Sequence, residues 1–369
     1  MKRFGIGFLL LSAIMFIGGC SLNKSSLRQI KPEAGLSISR VSASKKTLDL
    51  EKDNGDEIKF FLSQPAEQVE LKLYNLNDQL IKSLQAKSLK SGFNSFFWDA
   101  TNENGEKVKG DIVIYTILAK NGPEHYTYDP ADKSAGNEMH VRDFTFDSDT
   151  GEIRYILPRA CRIRLRAGLK ESVLLKTIFD WQAQEAGEHK FIWDGKDESG
   201  NFALLKHPQL NLNLSAYTLP DNCIIINNGS RSIPRESGLL SRESDKVNKE
   251  NKYFHFPHNQ IDCHEPEFAV SFPEAKNNAD NLSILQGKVP VRVEISPKDK
   301  AYIINKRFEA MFFVDGIFLF EEEAGSSPLT FYWDTANLNQ GEHLFSVNIM
   351  SYDDHVGTKT QKVMIEDKK

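Results

Sequence analysis

The chain has 369 residues with 46 Lys and Arg against 51 Asp and Glu, a net charge of −5 that lacks the basic footprint a nucleic-acid partner needs. Hydrophobic residues make up 40%, enough for packed cores, and the length accommodates two or three domains. The 24 phenylalanines against 4 tryptophans suit buried cores better than a platform for stacking sugars.

At the N-terminus, Lys2 and Arg3 precede an apolar run from Phe4 to Ile17, followed by Gly18, Gly19 and Cys20. A membrane-spanning helix needs ~20 apolar residues, so a cationic start with a short apolar core reads as a secretory signal over residues 1–19. Its ending resembles the lipobox of bacterial lipoproteins. The resemblance implies cleavage before Cys20 and acylation of its sulfur and new amino group. Several acyl chains would then hold the chain on a membrane, at ~0.8 kcal/mol per buried methylene. Ser21 stands where an aspartate usually marks inner-membrane retention, so the expected address is the bacterial outer membrane, facing the periplasm or the cell surface. Loss of residues 1–19 removes two positive charges and leaves a more acidic chain. Residues 20–36 are polar and aperiodic and read as a lipidated tether.

Three cysteines follow, Cys161, Cys223 and Cys263. A secreted compartment permits a disulfide, and the odd number leaves one thiol over. Cys161 and Cys223 fall within one predicted domain and are the expected pair. No CxxC or CxxCH motif occurs.

The next features repeat. "EIKFFL" (57–62) returns as "EIRYIL" (152–157), and "SGFNSFFWDATNENGE" (91–106) returns as "AGEHKFIWDGKDESGN" (186–201). The pairs Trp98 and Trp193, Asp99 and Asp194, and Gly105 and Gly200 share one offset. Val69, Leu71 and Leu73 alternate as Ile163, Leu165 and Ala167 do, with a slip of one residue. Period-two alternation between closely spaced turns predicts an all-β fold of tandem sandwiches, repeat 1 over 37–125 and repeat 2 over 138–229.

These motifs resemble the Ig-like domain at the C-terminus of the flagellar hook-capping protein, a module reused in many secreted bacterial proteins. The residues that carry the resemblance are "VELKLYNLNDQLIKSL" and "CRIRLRAGLKESVLLKTI", together with the two "WD…G" stretches. The resemblance implies an Ig-like fold and says little of function. Both copies depart from the family's Asp-x-x-Gly hairpin, with Asn75-Leu76-Asn77-Asp78 and Gly168-Leu169-Lys170-Glu171. The family's flagellar assembly segment is not recognisable, so a hook-cap role does not carry over.

The acidic stretches after Trp98 and Trp193 are read as turns. Asp and Asn side chains accept local backbone N–H groups, and Gly105 and Gly200 supply a positive φ. A calcium loop is the first alternative, but counting from Asp194 Lys196 falls at loop position 3, where an oxygen ligand would be needed. A pair of catalytic carboxylates is the second. The tryptophans themselves are large enough to anchor the sandwich cores.

Residues 230–265 read as a linker. Within it His255, His258, Cys263 and His264 carry imidazole and thiol groups of the kind that suit zinc or copper. Their spacing matches no strong metal motif, and the reading is an interdomain loop, with a metal site or a partner-binding patch as alternatives. A third Ig-like domain follows over 266–369, with Asp315-Gly316 as a hairpin signal between two apolar runs. It resembles bacterial Ig-like domains with a "VDG" hairpin and a "WDT" strand end, here Trp333, Asp334 and Thr335. His343 reads as a strand or hairpin residue.

No Ser-His-Asp order, GxSxG, HExxH or P-loop appears. The expected protein is therefore a non-enzymatic, lipid-anchored envelope scaffold without a cofactor, partnered by the membrane and an unidentified envelope or extracellular protein. A surface lipoprotein binding carbohydrate or metal is the alternative, and a hydrolase accessory subunit is a further one.

Overall fold

The computed structural model describes residues 35–75, 79–110, 112–227, 265–303, 307–351 and 356–366, without the side chains of residues 132 and 301–303. The chain is all-β, as its alternation dictates. None of the described helices is long and apolar enough to cross a membrane.

Repeat 1 contributes β1 (Ile38–Ala43), β2 (Thr47–Asp49), β3 (Asp56–Leu62), β4 (Ala66–Tyr74), β5 (Leu80–Leu89), β6 (Gly92–Trp98), β7 (Ile112–Asn121) and β8 (Glu124–Tyr128). Along β3 the side chains of Ile58, Phe60 and Leu62 are buried while Lys59 is exposed, the two-residue period of a strand with one wet face. One sheet has the order β1-β3-β6; the facing sheet contains β7-β4-β5, with β8 folded back on β7. Trp98, Phe60, Leu71 and Tyr115 fill the core between them.

Repeat 2 opens with α1 (Ala131–Ser134) and continues through β9 (Arg142–Asp147), β10 (Glu152–Leu157), β11 (Cys161–Leu169), β12 (Leu174–Gln184), β13 (Gly187–Ile192) and β14 (Leu210–Thr218). Its two sheets have the orders β13-β10-β9 and β12-β11-β14, and Tyr155, Leu165 and Trp193 lie in the core between them.

The next strand, β15 (Cys223–Asn227), lies within the range read as repeat 2, yet its pairing is with repeat 1. It runs antiparallel to β7 (Cys223↔Ile114, Ile225↔Ile112) and parallel to β2 (Ile225↔Thr47). This explains its unbroken apolar run, because a strand inside a sheet covered on both faces needs no alternation. Ile224 and Ile226 enter the core of repeat 1, while Cys223 and Ile225 join a small cluster with Ile112, Ile114, Ala183 and Leu219.

The third domain comprises β16 (Phe268–Ser271), β17 (Lys276–Asn277), β18 (Ser283–Leu285), β19 (Lys288–Ile295), α2 (Pro297–Ile303), β20 (Phe308–Val314), β21 (Ile317–Gly325), β22 (Leu329–Asp334), β23 (Gly341–Ser351) and β24 (Val356–Ile365). Its sheets have the orders β16-β19-β22 and β17-β18-β24-β23-β20-β21. Asp315 (φ 50°) and Gly316 (φ 79°) both take the left-handed backbone of a type I′ turn, which matches the twist of β20 and β21.

Repeat 2 and the third domain interlock. The Leu174 N–H donates to Asn348 Oδ1 (2.8 Å), and the Leu174 carbonyl accepts from Asn348 Nδ2 (2.7 Å) and the Thr358 hydroxyl (2.8 Å). Phe313 of β20 is buried in the core of repeat 2.

Candidate functional site

The two acidic stretches are built as paired turns. Asp99 Oδ1 accepts the Thr101 N–H (3.2 Å) and Asp194 Oδ1 accepts the Lys196 N–H (3.0 Å). Each preceding indole closes the same turn, Trp98 Nε1 donating to the Thr101 carbonyl (2.9 Å) and Trp193 Nε1 to the Lys196 carbonyl (3.2 Å). A second turn follows at once. Asn102 Oδ1 takes the N–H groups of Asn104 (2.9 Å) and Glu106 (3.0 Å), and the buried Asp197 Oδ1 takes that of Phe202 (2.9 Å). Gly105 (φ 78°) and Gly200 (φ 75°) turn the chain between them. One side-chain oxygen each of Asp99, Asn102, Asp194 and Asp197 is thus engaged by backbone N–H groups of its own loop.

In repeat 1 a lysine ammonium occupies the middle of the loop. Lys82 Nζ donates to Thr101 Oγ1 (2.6 Å), Asp99 Oδ1 (3.3 Å) and the Asn102 carbonyl (3.3 Å). The Thr101 hydroxyl first, and then Lys82 against the opposing effect of burial, hold the Asp99 carboxyl below its ordinary range. In repeat 2 the corresponding Lys176 pairs with Glu198 Oε2 (2.7 Å). The third domain repeats the first turn only: Trp333 is buried against Phe345 and Asp334 Oδ1 accepts the Ala336 N–H (3.0 Å). Among the described residues no group of three His, Cys, Asp or Glu side chains is placed to hold a metal ion.

Cys161 and Cys223 are not bonded to each other, contrary to the expected pairing. The reason is the route of β15. Cys161 on β11 faces the core of repeat 2, where burial pushes its thiol up to about 11, whereas Cys223 lies in the sheet of repeat 1. His343 sits at the β20–β21 turn, its ring bonded to Asp315 Oδ2 (2.6 Å) and the Asn339 carbonyl (2.8 Å). Cys20, His255, His258, Cys263 and His264 lie outside the described residues.

Sequence reasoning missed two places. A cleft of about 400 Å³ at the junction of repeat 2 and the third domain is lined by Arg164, Arg166, Asn211, Asn213, Ser215 and Asn348, among others. Its side chains come from strands far apart in sequence, so no local signal marks it. The other place is a groove along the open side of repeat 2. Two adjoining cavities of about 590 and 440 Å³ share Phe144 and Leu212, and Phe146, Leu205, Leu210 and Leu214 extend the lining. The Leu210-x-Leu212-x-Leu214 alternation is visible in sequence, but that the described residues leave these leucines only half-buried is not.

No curated protein matches this chain. Among solved structures, the endo-β-1,4-mannanase of Thermotoga petrophila aligns at 15% identity over 48% of this chain and 30% of its own, with a TM-score of 0.22. A structure concerned with cell-surface retention of a 1.5-MDa bacterial ice-binding adhesin aligns at 10% identity over 90% of this chain and 99% of its own, with a TM-score of 0.19. Dimeric latent PorU from Porphyromonas gingivalis aligns at 8% identity over 90% and 34%, with a TM-score of 0.21. Superpositions this loose carry neither fold nor function to the chain, which spans under a third of the mannanase. Residues 45–139 match the family model of the FlgD Ig-like domain, the module to which the motifs of both repeats point.

Proposed function

We propose that this chain is a non-enzymatic scaffold of the bacterial envelope, lipid-anchored through Cys20, whose Ig-like modules present a binding surface to another envelope or extracellular protein. The observation that carries this reading is the fate of the acidic motifs. Carboxylates, an amide and both indoles of these motifs close turns within their own loops, so the chemistry that the two repeats share serves architecture. Crosslinking with mass spectrometry in intact cells tests it, and a specific envelope partner is the expected result. Intact-cell crosslinks confined to this chain itself would sink the scaffold reading. The anchor is tested separately: Cys20→Ala is expected to lose labelling by a clickable fatty acid and to leave the membrane fraction, and persistent labelling would refute it. A second reading, a ligand-binding lipoprotein, is favoured by the Arg164 and Arg166 cleft, whose guanidinium and amide groups suit an acidic or hydroxyl-rich ligand. A glycan array separates the two.

A further inference from the structure

The strand orders of the three sandwiches correspond, and among the described residues repeat 2 is short of a strand. In repeat 1 the edge of β7 beyond β4 is covered by β15, which β2 flanks in parallel. In the third domain the same edge of β23 is covered by β24, flanked in parallel by β18. In repeat 2 the sheet stops, among the described residues, at β14. The chain also omits the flanking strand there, since β9 turns directly into β10 through residues 148–151.

The consequence is visible in the core. The strand registers make Val113, Tyr115 and Ile117 of β7 equivalent to Leu210, Leu212 and Leu214 of β14, and to Phe345, Val347 and Ile349 of β23. The six residues in the covered sheets are all 0% exposed, whereas all three leucines are only half-buried. The backbone tells the same story. The Ala216 carbonyl accepts from the Met139 N–H (2.8 Å), and Thr218 exchanges bonds with Gly136 and Asn137 (2.9 Å each), so even-numbered residues of β14 point away from β11. By the two-residue period, the N–H and C=O groups of Leu212 and Leu214 point outward as well. Among the described residues nothing pairs with them, and the Leu210 N–H is taken by His207. The ladder begun by residues 136–139 stops where the groove begins.

We propose that repeat 2 is completed by an extended segment of a partner polypeptide that adds to β14 as an antiparallel strand and sets bulky aliphatic side chains, at alternate positions, into the groove between β9 and β14. The occupant's chemistry is read from the chain itself. At the equivalent edge of repeat 1 the strand is Cys-Ile-Ile-Ile, and the apolar part of the groove here is Phe144, Phe146, Leu205 and the three leucines, beside the polar Glu138, Lys206 and His207. The incoming strand continues the interface that residues 136–139 already make with β14. Of the described strands, β15 and β24, which fill this place in the sister domains, are already engaged. Backbone bonds supply affinity in such strand addition, and the alternate side-chain pockets supply selectivity. This deepens the scaffold reading by naming the surface and the kind of segment it takes, and it rests on that reading.

The test is amide hydrogen exchange on the full mature chain, with and without a lysine-flanked synthetic peptide carrying the Ile-Ile-Ile segment of β15. In the chain alone the Leu212 and Leu214 amides are expected to exchange rapidly, unlike Val113 and Tyr115. Saturating peptide is expected to slow them at least tenfold, and a peptide N-methylated at alternate backbone positions is expected to do nothing. Leu212→Pro removes an outward-pointing N–H without touching the β11 ladder and should weaken peptide binding at least tenfold. The methylated peptide keeps the test decisive if that variant folds poorly. Protection present in the chain alone would mean that its own residues cover the edge, and protection that grows with protein concentration would mean a second copy. Either result overturns the proposal, as does a peptide without effect. None of these failures touches a partner crosslinked elsewhere on the surface, so the scaffold reading is judged separately.

Discussion

Trp98 and Trp193 each have two tasks, filling a core and closing the turn three residues on. Neighbouring Phe97 and Ile192 point the other way and are 61% and 64% exposed, the strand alternation at its plainest. Trp98→Ala and Trp193→Ala are each expected to destabilise their own repeat by ~3–5 kcal/mol, read as loss of one unfolding transition with the other intact. Equal melts for mutant and parent would mean the indoles contribute little to the cores. Glu265 yields a pH prediction. Burial first, and then the nearby Asp180, push its carboxyl up to about 7, with Thr177 and Arg166 pulling the other way. The folded chain therefore holds a proton that the unfolded chain releases near the ordinary glutamate range. Between those two pH values the native state binds more protons, so stability falls as pH rises, by about 2–3 kcal/mol, and levels off above the raised value. Denaturant titrations at pH 5 and pH 8 should show this fall in the parent and not in Glu265→Gln; parallel slopes would count against it.

The Trp-Asp turn was legible as an element because all its partners lie within a few residues. An aspartate that accepts the N–H two positions on, and a glycine that supplies a positive φ, need no distant contact. What sequence could not supply was Lys82, which reaches the first loop from β5 and places its ammonium among the oxygens a cation would otherwise seek. Millimolar calcium or EDTA is accordingly expected to leave the melting temperature of residues 37–229 unchanged. A specific site filled at 100 times its dissociation constant would add ~2.7 kcal/mol, a rise of several degrees. Such a rise, abolished by Asp194→Ala, would make the loop a metal site.

At the scale of the molecule, the domains are sewn together by strands and hairpins that leave their own sequence neighbourhood. Since β15 completes repeat 1, Ile224→Ala is expected to cost ~2–5 kcal/mol in that repeat alone, although the residue follows β14 of repeat 2 in the chain. Hydrogen exchange along β7 and β4 measures this, and loosening confined to β11 and β14 would contradict the pairing. The sequence by itself determined the all-β character, the internal repeat, the Trp-Asp turns and the Asp315-Gly316 hairpin. Each of these follows from periodicity or from backbone conformations that particular residues favour. Tertiary structure alone decided where β15 pairs, why Cys161 and Cys223 stand apart, how Asn348 and Thr358 clasp Leu174, and which edge of repeat 2 the described residues leave open. An apolar run states that it must be buried, but many edges offer equivalent backbone bonds. The choice among them is made by long-range packing, which leaves no mark in the local pattern.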